Sequence, residues 1–583
     1  MTNVRGSGRI AASVQLRHIA TSFALLAILL AADVLAAPNH PFGSHPATYA
    51  AGSIKPSHVP QATLDQAVRD FYDQWKATYV KQVCGPGRYV VEARAGAGNL
   101  TVSEAHGYGM ILAALMAGHD PDARTIFDGM FAYFRDHPSG ITPSLMSWYQ
   151  KTSCASANGN DTASDGDLDI AFALLLADKQ WGSCGAVNYL AEAQSVIAGI
   201  ETGELDPTGS FVKLGDWVSP GVPPYGDATR SSDFMPDHYR SFLAATSDAT
   251  WTTLLEHTYD VVAALQASHS SATGLLPDFV IDPLGTPDPA PANFLEGPTD
   301  GAYAYNACRD PWRLGTDYLI SGEARAQAAV QTINVWIRSR TANDPDAITA
   351  GWALDCSDTP GTSYRSMAFV APFGVGAMVD ASNQAWLNDV WDLVVATPIT
   401  AEGYYENTLK LLSMIVMSGS WWAPEGVAGG CTPTGSALCT SGGALLAPQI
   451  TLTKRGGTPG DENLQLKAKL FFPQGIPAAA PYDDGAQVLI EDLGNGNAAV
   501  FELSDANTDP VPPESAGTCD AQRDLWKVTP AGTQYRNGST ALDPPACTAG
   551  TSRGLFLLKY RPRGPSPHGG PDAMARAARA GSL

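Results

Sequence analysis

Three short stretches hold most of the side chains able to do chemistry, and all three combine carboxylates with aromatic rings. The first is Thr101-Val-Ser-Glu104-Ala-His-Gly-Tyr108-Gly-Met110. The second, Ala163-Ser-Asp165-Gly-Asp167-Leu-Asp169, runs into an apolar segment ending at Trp181. The third passes from Asn293-Phe-Leu-Glu296-Gly-Pro-Thr-Asp300 through Tyr303, Tyr305 and Asn306 to Arg309, Trp312 and Arg313. Sugars present apolar faces to aromatic rings, and cleaving a glycosidic bond takes one protonated and one ionised carboxyl, so this mixture points to carbohydrate chemistry. Trp148, Trp217, Tyr305 and Trp312 are the candidate stacking platforms, each with a place in the core as its alternative.

Each stretch also has a structural explanation. Thr101-x-x-Glu104 is a capping box by spacing, which would satisfy helix N-terminal amides and contribute about 1 kcal/mol. Gly107 and Gly109 just inside that helix weaken it, a cost that close packing against a cleft would explain. The alternating aspartates resemble a calcium loop, but the glycine is misplaced and no closing Glu follows. Acidic residues also suit a helix N-terminus, although three of them ahead of so apolar a helix exceed that need. The third stretch reads equally as a surface loop leading into a salt-bridged helix start.

Other signatures fail on context. Gly494-x-Gly496-x-x-Ala499 has neither a following helix nor an acidic partner about twenty residues on, so no dinucleotide site is expected. Gly550-Thr-Ser552-Arg-Gly554 precedes a β-like run, whereas a nucleophile elbow needs strand, turn and helix. No HExxH, Walker loop or cysteine-based zinc pattern occurs, and neither a metal nor an organic cofactor is expected.

The elements that must position these residues are helical. Segments open at a Thr63-x-x-Gln66 capping pattern and recur near 103–118, 122–136, 165–181, 187–200, 233–245 and 251–267. Others follow near 308–321, 323–339, 364–379, 384–395 and 404–418. Some twelve helices, joined by long loops rich in Gly, Pro and Asp, suit an all-α barrel of paired helices with its loops gathered at a concave end. Beyond Trp422 the texture changes: residues 426–443 read as a linker, 444–563 as a small β-rich accessory domain, and 564–583 as a disordered tail.

At the level of those motifs the chain resembles glycoside hydrolase family 8. The resemblance rests on Ser103-Glu104-Ala-His-Gly-Tyr108-Gly-Met110, on Asp165-Gly-Asp167-x-x-Ile170-Ala171 through Trp181, and on Tyr305-Asn306-Ala-Cys-Arg309-x-Pro-Trp312, in that order. Leu214-Gly-Asp216-Trp217, Asp233-Phe-Met235 and Trp421-Trp422-x-Pro424 are similar to the family too, and the likeness covers about residues 47–424. It implies an (α/α)6 barrel over residues 38–425 and inverting cleavage of β-1,4-linked polysaccharide. It also implies Glu104 as general acid and Asp165 as the residue that holds and distorts the sugar. Many members carry Asp where this chain has Asn306. The chitosanase and lichenase-like branch shares that Asn and takes its base from a preceding insertion, which implies Glu296, with Asp300 in reserve. Trp148, Asp216, Trp217, Tyr305, Asn306, Arg309 and Trp312 are the expected substrate contacts.

Charge and composition bound the rest. The 583 residues carry 36 Lys+Arg against 58 Asp+Glu, a formal net charge of -22, which excludes a nucleic-acid binder because nothing could neutralise a line of phosphates. The same excess would attract an amine-bearing sugar, with Asp216 and Asp300 as recognition carboxylates, so chitosan is the first expectation and cellulose or mixed-linkage glucan the second. Arg5, Arg9 and Arg17, an apolar run from Ile19 to Ala32 and small residues to Ala37 read as a cleaved signal peptide over 1–37. The expected product is a secreted or periplasmic monomer with a polysaccharide substrate and no membrane span after cleavage. Nine cysteines in an exported chain imply disulfides with at least one thiol left over.

Overall fold

The computed structural model describes residues 37–427, apart from 94–97, 186, 358 and 360, and beyond 427 a set of strands. The expected signal peptide and nearly all of the expected linker lie outside the described residues. The chain divides into two compact units, one holding the helices and the other the strands from residue 445 onward.

Twelve α-helices occur among the described residues: α1 (Gln61–Tyr79), α2 (Ser103–Leu115), α3 (Ala123–Asp136), α4 (Ser164–Trp181), α5 (Tyr189–Gly203) and α6 (Pro236–Thr246), then α7 (Thr250–Ser268), α8 (Asp310–Ser321), α9 (Ala324–Arg340), α10 (Met367–Ala377), α11 (Gln384–Ala396) and α12 (Tyr404–Met417). The even-numbered helices touch in sequence, α2 to α4, α6, α8, α10 and α12, and α12 returns to α2. Each also packs against at least one odd-numbered helix, α3 on α2 and α5 on α4 through to α1 on α12. This is an (α/α)6 barrel. The two rings differ as their positions demand. In α3 burial is confined to one stripe, Ile126, Phe127, Met130, Tyr133 and Phe134, whereas α4 is buried almost all round from Ser164 to Ala177.

The inner ring is tight enough that side chains are excluded at named points. A Cβ on Gly166 of α4 would meet Ser103 of α2 at 2.3 Å, and one on Gly107 would meet Cβ of Asp169 at 2.6 Å. Of the two glycines that weaken α2 on propensity, Gly107 therefore lets α2 and α4 approach, while a Cβ on Gly109 would meet Val91 at 2.4 Å and Met130 at 3.1 Å.

Both capping boxes expected from spacing are absent. Pro60 starts α1, so Thr63 lies inside the helix, and the N-cap of α2 is Val102 with Thr101 in a strand. Short strands edge the loop end of the barrel: β1 (Val80–Gln82) pairs with β2 (Tyr89–Val91), β3 (Asn99–Val102) with β4 (Tyr149–Lys151), and β5 (Ala228–Arg230), β6 (Phe279–Ile281) and β7 (Asp288–Pro289) form a sheet. A disulfide joins Cys84 to Cys154, while the thiols of Cys308 and Cys356 are free.

The second unit is all antiparallel. Strands β8 (Leu445–Thr453), β9 (Asn463–Phe471), β10 (Ala486–Asp492), β11 (Asn497–Leu503), β12 (Asp524–Thr529), β13 (Gly532–Asn537), β14 (Leu557–Pro562) and β15 (Asp572–Gly581) form a six-stranded sheet, ordered β12-β13-β14-β15-β9-β8, and a β10-β11 hairpin. The segment expected as a disordered tail thus contributes β15, whose backbone groups are paired on both sides by β9 and β14. A composition of Ala, Arg and Gly gives no hint of pairing that neighbouring strands supply.

Candidate active site

Arg309 sits where the three stretches converge. It leaves the turn ahead of α8 and is buried, with its Nη1 3.0 Å from Oε2 of Glu104, 3.0 Å from Oδ2 of Asp165 and 3.2 Å from the Tyr108 hydroxyl. Its Nη2 donates to Oδ1 of Asn306 at 2.8 Å. One guanidinium thus ties the first turns of α2 and α4 to the turn before α8. Beneath it a second buried layer repeats the pattern: Arg313 grips both oxygens of Asp169, at 2.9 and 2.6 Å, and His238 contacts the same carboxylate at 2.9 Å.

Glu104 is the first residue after the helix-opening Ser103, and it caps nothing. Its carboxylate lies against Arg309 and accepts from the Tyr404 hydroxyl at 3.3 Å. The side chain is only 17% exposed. Burial pushes its pKa up to about 7; Arg309 opposes the rise and Asp165 adds to it. A carboxyl that keeps its proton near neutrality is what a general acid requires.

Glu296 faces the same cleft from a loop and is built differently. Its Oε2 accepts from Nδ2 of Asn306 at 2.9 Å, and its Oε1 pairs with Arg230 at 3.4 Å. At 49% exposure its side chain is open to water. Asp300, the reserve candidate, is buried, and its carboxylate accepts the backbone N–H groups of Leu295, Glu296 and Gly297 at 2.7, 3.0 and 2.9 Å. It holds the loop that presents Glu296. Asp278 does the same for the neighbouring turn, its Oδ1 accepting from the amides of Ala304, Asn306 and Ala307.

These groups line one cavity of about 400 Å³, with Glu104, Asp165, Arg230, Glu296, Asn306 and Trp148 on its walls. Tyr305 lines it too, its hydroxyl 2.7 Å from that of the exposed Tyr364.

Other expected substrate contacts are placed elsewhere. Trp312 is fully buried between Tyr108 and Trp421, so it belongs to the core, where a helix face and not residue type decides exposure. Trp217 packs on Tyr225, and both lie, with Phe294 and Leu295 of the Glu296 loop, against a buried cluster of Leu214, Val218, Ala228, Phe279 and Ala290. Asp216 is buried and turned inward, accepting from Ser139 Oγ and from the amides of Thr142 and Thr162. Arg309, by contrast, does line the cavity, with its guanidinium hydrogen-bonded to Glu104, Asp165, Tyr108 and Asn306. Arg230, Tyr404, Tyr405 and Glu406 line the cleft although no motif singled them out. Only the doublet Tyr404-Tyr405 at the start of the last helix offered a sequence signal.

The family model of glycosyl hydrolases family 8 matches residues 59–419, the whole of the barrel from α1 to α12. The chain belongs to that family. Among its relatives, a beta-glucanase of Niallia circulans is 46% identical over 399 residues, 68% of this chain and 95% of the relative. An endoglucanase of Bacillus sp. (strain KSM-330) is 38% identical over 387 residues, covering 64% and 80%. The solved structure of a beta-1,3-1,4-glucanase from Paenibacillus sp. X4 superposes with a TM-score of 0.63 at 46% identity, covering 66% of this chain and all of the other. As a member of family 8 the chain is a glycosyl hydrolase, and its substrate is a glycan. Among the described residues no helix is long and apolar enough to cross a membrane.

Proposed function

We propose that the chain is an exported, monomeric endo-acting glucanase that cleaves β-1,4 bonds of mixed-linkage β-1,3-1,4-glucan with inversion. Glu104 gives its proton to the departing oxygen, and Glu296 takes a proton from the water that attacks the opposite face. Asp165, anchored by Arg309 between them, holds the sugar displaced from its relaxed chair. Single displacement needs room for that water, with the two carboxyls about 6.5–9.5 Å apart. The observation that carries the reading is the contrast between the two carboxylates. Glu104 is desolvated and inclined to keep a proton, while Glu296 is open to water beside a cationic Arg230.

The substrate follows from two supports. The relatives that are 46% identical are named as acting on β-glucan. Chitosan, favoured on charge, rested on Asp216 and Asp300 as partners for amines, and both are committed to backbone amides.

Reducing-end release from mixed-linkage glucan, carboxymethylcellulose and chitosan in parallel, with proton NMR of the first anomer, tests this. Fastest release from mixed-linkage glucan with an initial α anomer is expected. Faster release from chitosan would overturn the substrate, and an initial β anomer the mechanism.

A further inference from the structure

The six-stranded sheet of the second unit sorts its residues by charge. Strand register places Lys467 of β9 opposite Arg576 of β15, and Arg576 opposite Lys559 of β14. The same row continues through Gln534 of β13 to Lys527 of β12. Two residues along the strands, Lys469, Met574 and Arg561 form a second row on that face, since residues alternate between the sides of a sheet. Of the residues that these six strands place on this side, Asp572 is the one acid. The opposite side takes Leu464, Leu466 and Leu470 of β9, Ile450 of β8, Tyr560 of β14 and Trp526 of β12.

This arrangement works against stability. Like charges directly opposite one another on neighbouring strands repel, and Lys467, Arg576 and Lys559 stand in line with no acid between them. Rows of Lys and Arg are also too costly to bury against protein that supplies no anionic partners. The chain's total of -22 conceals this face, because a total says nothing of local sign. Adjacent strands lie about 4.8 Å apart, so the row repeats a cation at nearly the length of one sugar ring. A chain of uronate residues repeats its carboxylates on that scale. Neutral glucan, the substrate proposed for the barrel, offers such a row no charge to pair with.

We propose that the basic face of this sheet binds a polyuronate, an acidic polysaccharide with one carboxylate per sugar. The row Lys467, Arg576 and Lys559 pairs with carboxylates of a glycan strand running across β9, β15 and β14. The sheet and the barrel then act on different polymers. One unit holds the enzyme to the acidic glycan, which raises the effective concentration of the other at neutral glucan in the same matrix. The assignment does not depend on which groups serve as acid and base, because binding at the sheet is read without hydrolysis.

Affinity electrophoresis of the full chain through gels containing polygalacturonate, referred to gels without polymer, tests this. Retardation at low salt is expected, and it should disappear as salt is raised, because exposed ion pairs are screened. Lys467→Gln, Lys559→Gln and Arg576→Gln combined should weaken binding about tenfold, as loss of three exposed ion pairs does. The kcat of the combined variant on soluble mixed-linkage glucan should match the parent's, since none of the three residues lies in the barrel. Lys467→Arg with Lys559→Arg keeps the charge and should keep the binding, which serves if the combined Gln variant folds poorly. No retardation of the parent, equal retardation of the parent and the Gln variant, or loss of binding in the folded Arg variant overturns the proposal. Tighter binding to anionic phospholipid vesicles or to duplex DNA than to polygalacturonate would give the face to another partner and overturn it as well.

Discussion

Asn306 donates from Nδ2 to Oε2 of Glu296 at 2.9 Å, while its Oδ1 accepts from Arg309 at 2.8 Å. The amide that stands where many family members carry a carboxylate therefore links the open carboxylate of the cleft to the guanidinium that holds Glu104 and Asp165. Its two ends are not interchangeable. An amide can accept from Arg309 and donate to Glu296 at once, which an ionised carboxylate at this position cannot.

That pairing predicts the effect of restoring a carboxylate. Asn306→Asp keeps the acceptor for Arg309 but removes the donor and sets a like charge beside Glu296. We expect kcat to fall at least tenfold, about 1.4 kcal/mol in the barrier, with KM little changed. An Asn306→Asp enzyme as fast as the parent would mean that residue 306 can itself take the proton from water, and that the Glu296 assignment is wrong.

The acid and its pH limb are linked by sign. Burial favours the neutral form of Glu104, whose pKa is about 7, so the group is protonated and competent below that value. Activity (kcat/KM) should accordingly decline as pH rises through about 7, because the proton to be donated is lost. Glu104→Gln should lower kcat by roughly 10²–10⁴ and flatten this limb. A Glu104→Gln profile with the same alkaline decline would assign that limb to another group.

Asp300 and Glu296 separate by what surrounds them. Three backbone amides occupy the Asp300 carboxylate, and nothing of the kind encloses Glu296. Glu296→Gln should cost roughly 10²–10⁴ in kcat, as loss of a general base does. Asp300→Asn retains an acceptor for the loop and should lose under about tenfold, largely through a looser Glu296. The reverse ranking would make Asp300 the base.

How much of this was visible in the sequence depends on how local the cause is. The helices were legible because each carries its own apolar periodicity, and their ends fell within a few residues of those read from pattern. Starts were less so. Thr63 and Thr101 have capping-box spacing, but a proline and a strand, respectively, set those ends instead. Glu104, Asp165 and Asn306 stood out because their stretches are dense in chemistry. Arg230 and Glu406 did not, since their significance comes from residues 66 and 302 positions away, Glu296 and Glu104. Trp312 and Asp216 show the opposite failure: residue type suggested a sugar contact, and orientation, which no spacing encodes, turned both into the protein.

The approach of α2 to α4 yields the last prediction. Gly166 has ordinary helical backbone geometry, so adding a methyl group introduces no dihedral strain. The new Cβ would lie 2.3 Å from Ser103 Oγ, 2.5 Å from its Cβ and 2.6 Å from its backbone carbon. Rotating the Ser103 side chain relieves the first contact but not the other two, so the helices must separate. Overpacking of this kind costs about 1–3 kcal/mol. Gly166→Ala should therefore melt several degrees below the parent. The displacement also reaches the chemistry, because Ser103 immediately precedes Glu104. Loss of kcat should accompany loss of stability, and at a temperature where the variant is fully folded. Gly426→Ala, at an exposed position with nothing within 4 Å of its added Cβ, is the control and should change neither. A Gly166→Ala protein with the parent's melting temperature and kcat would show that the inner ring relaxes freely at this contact.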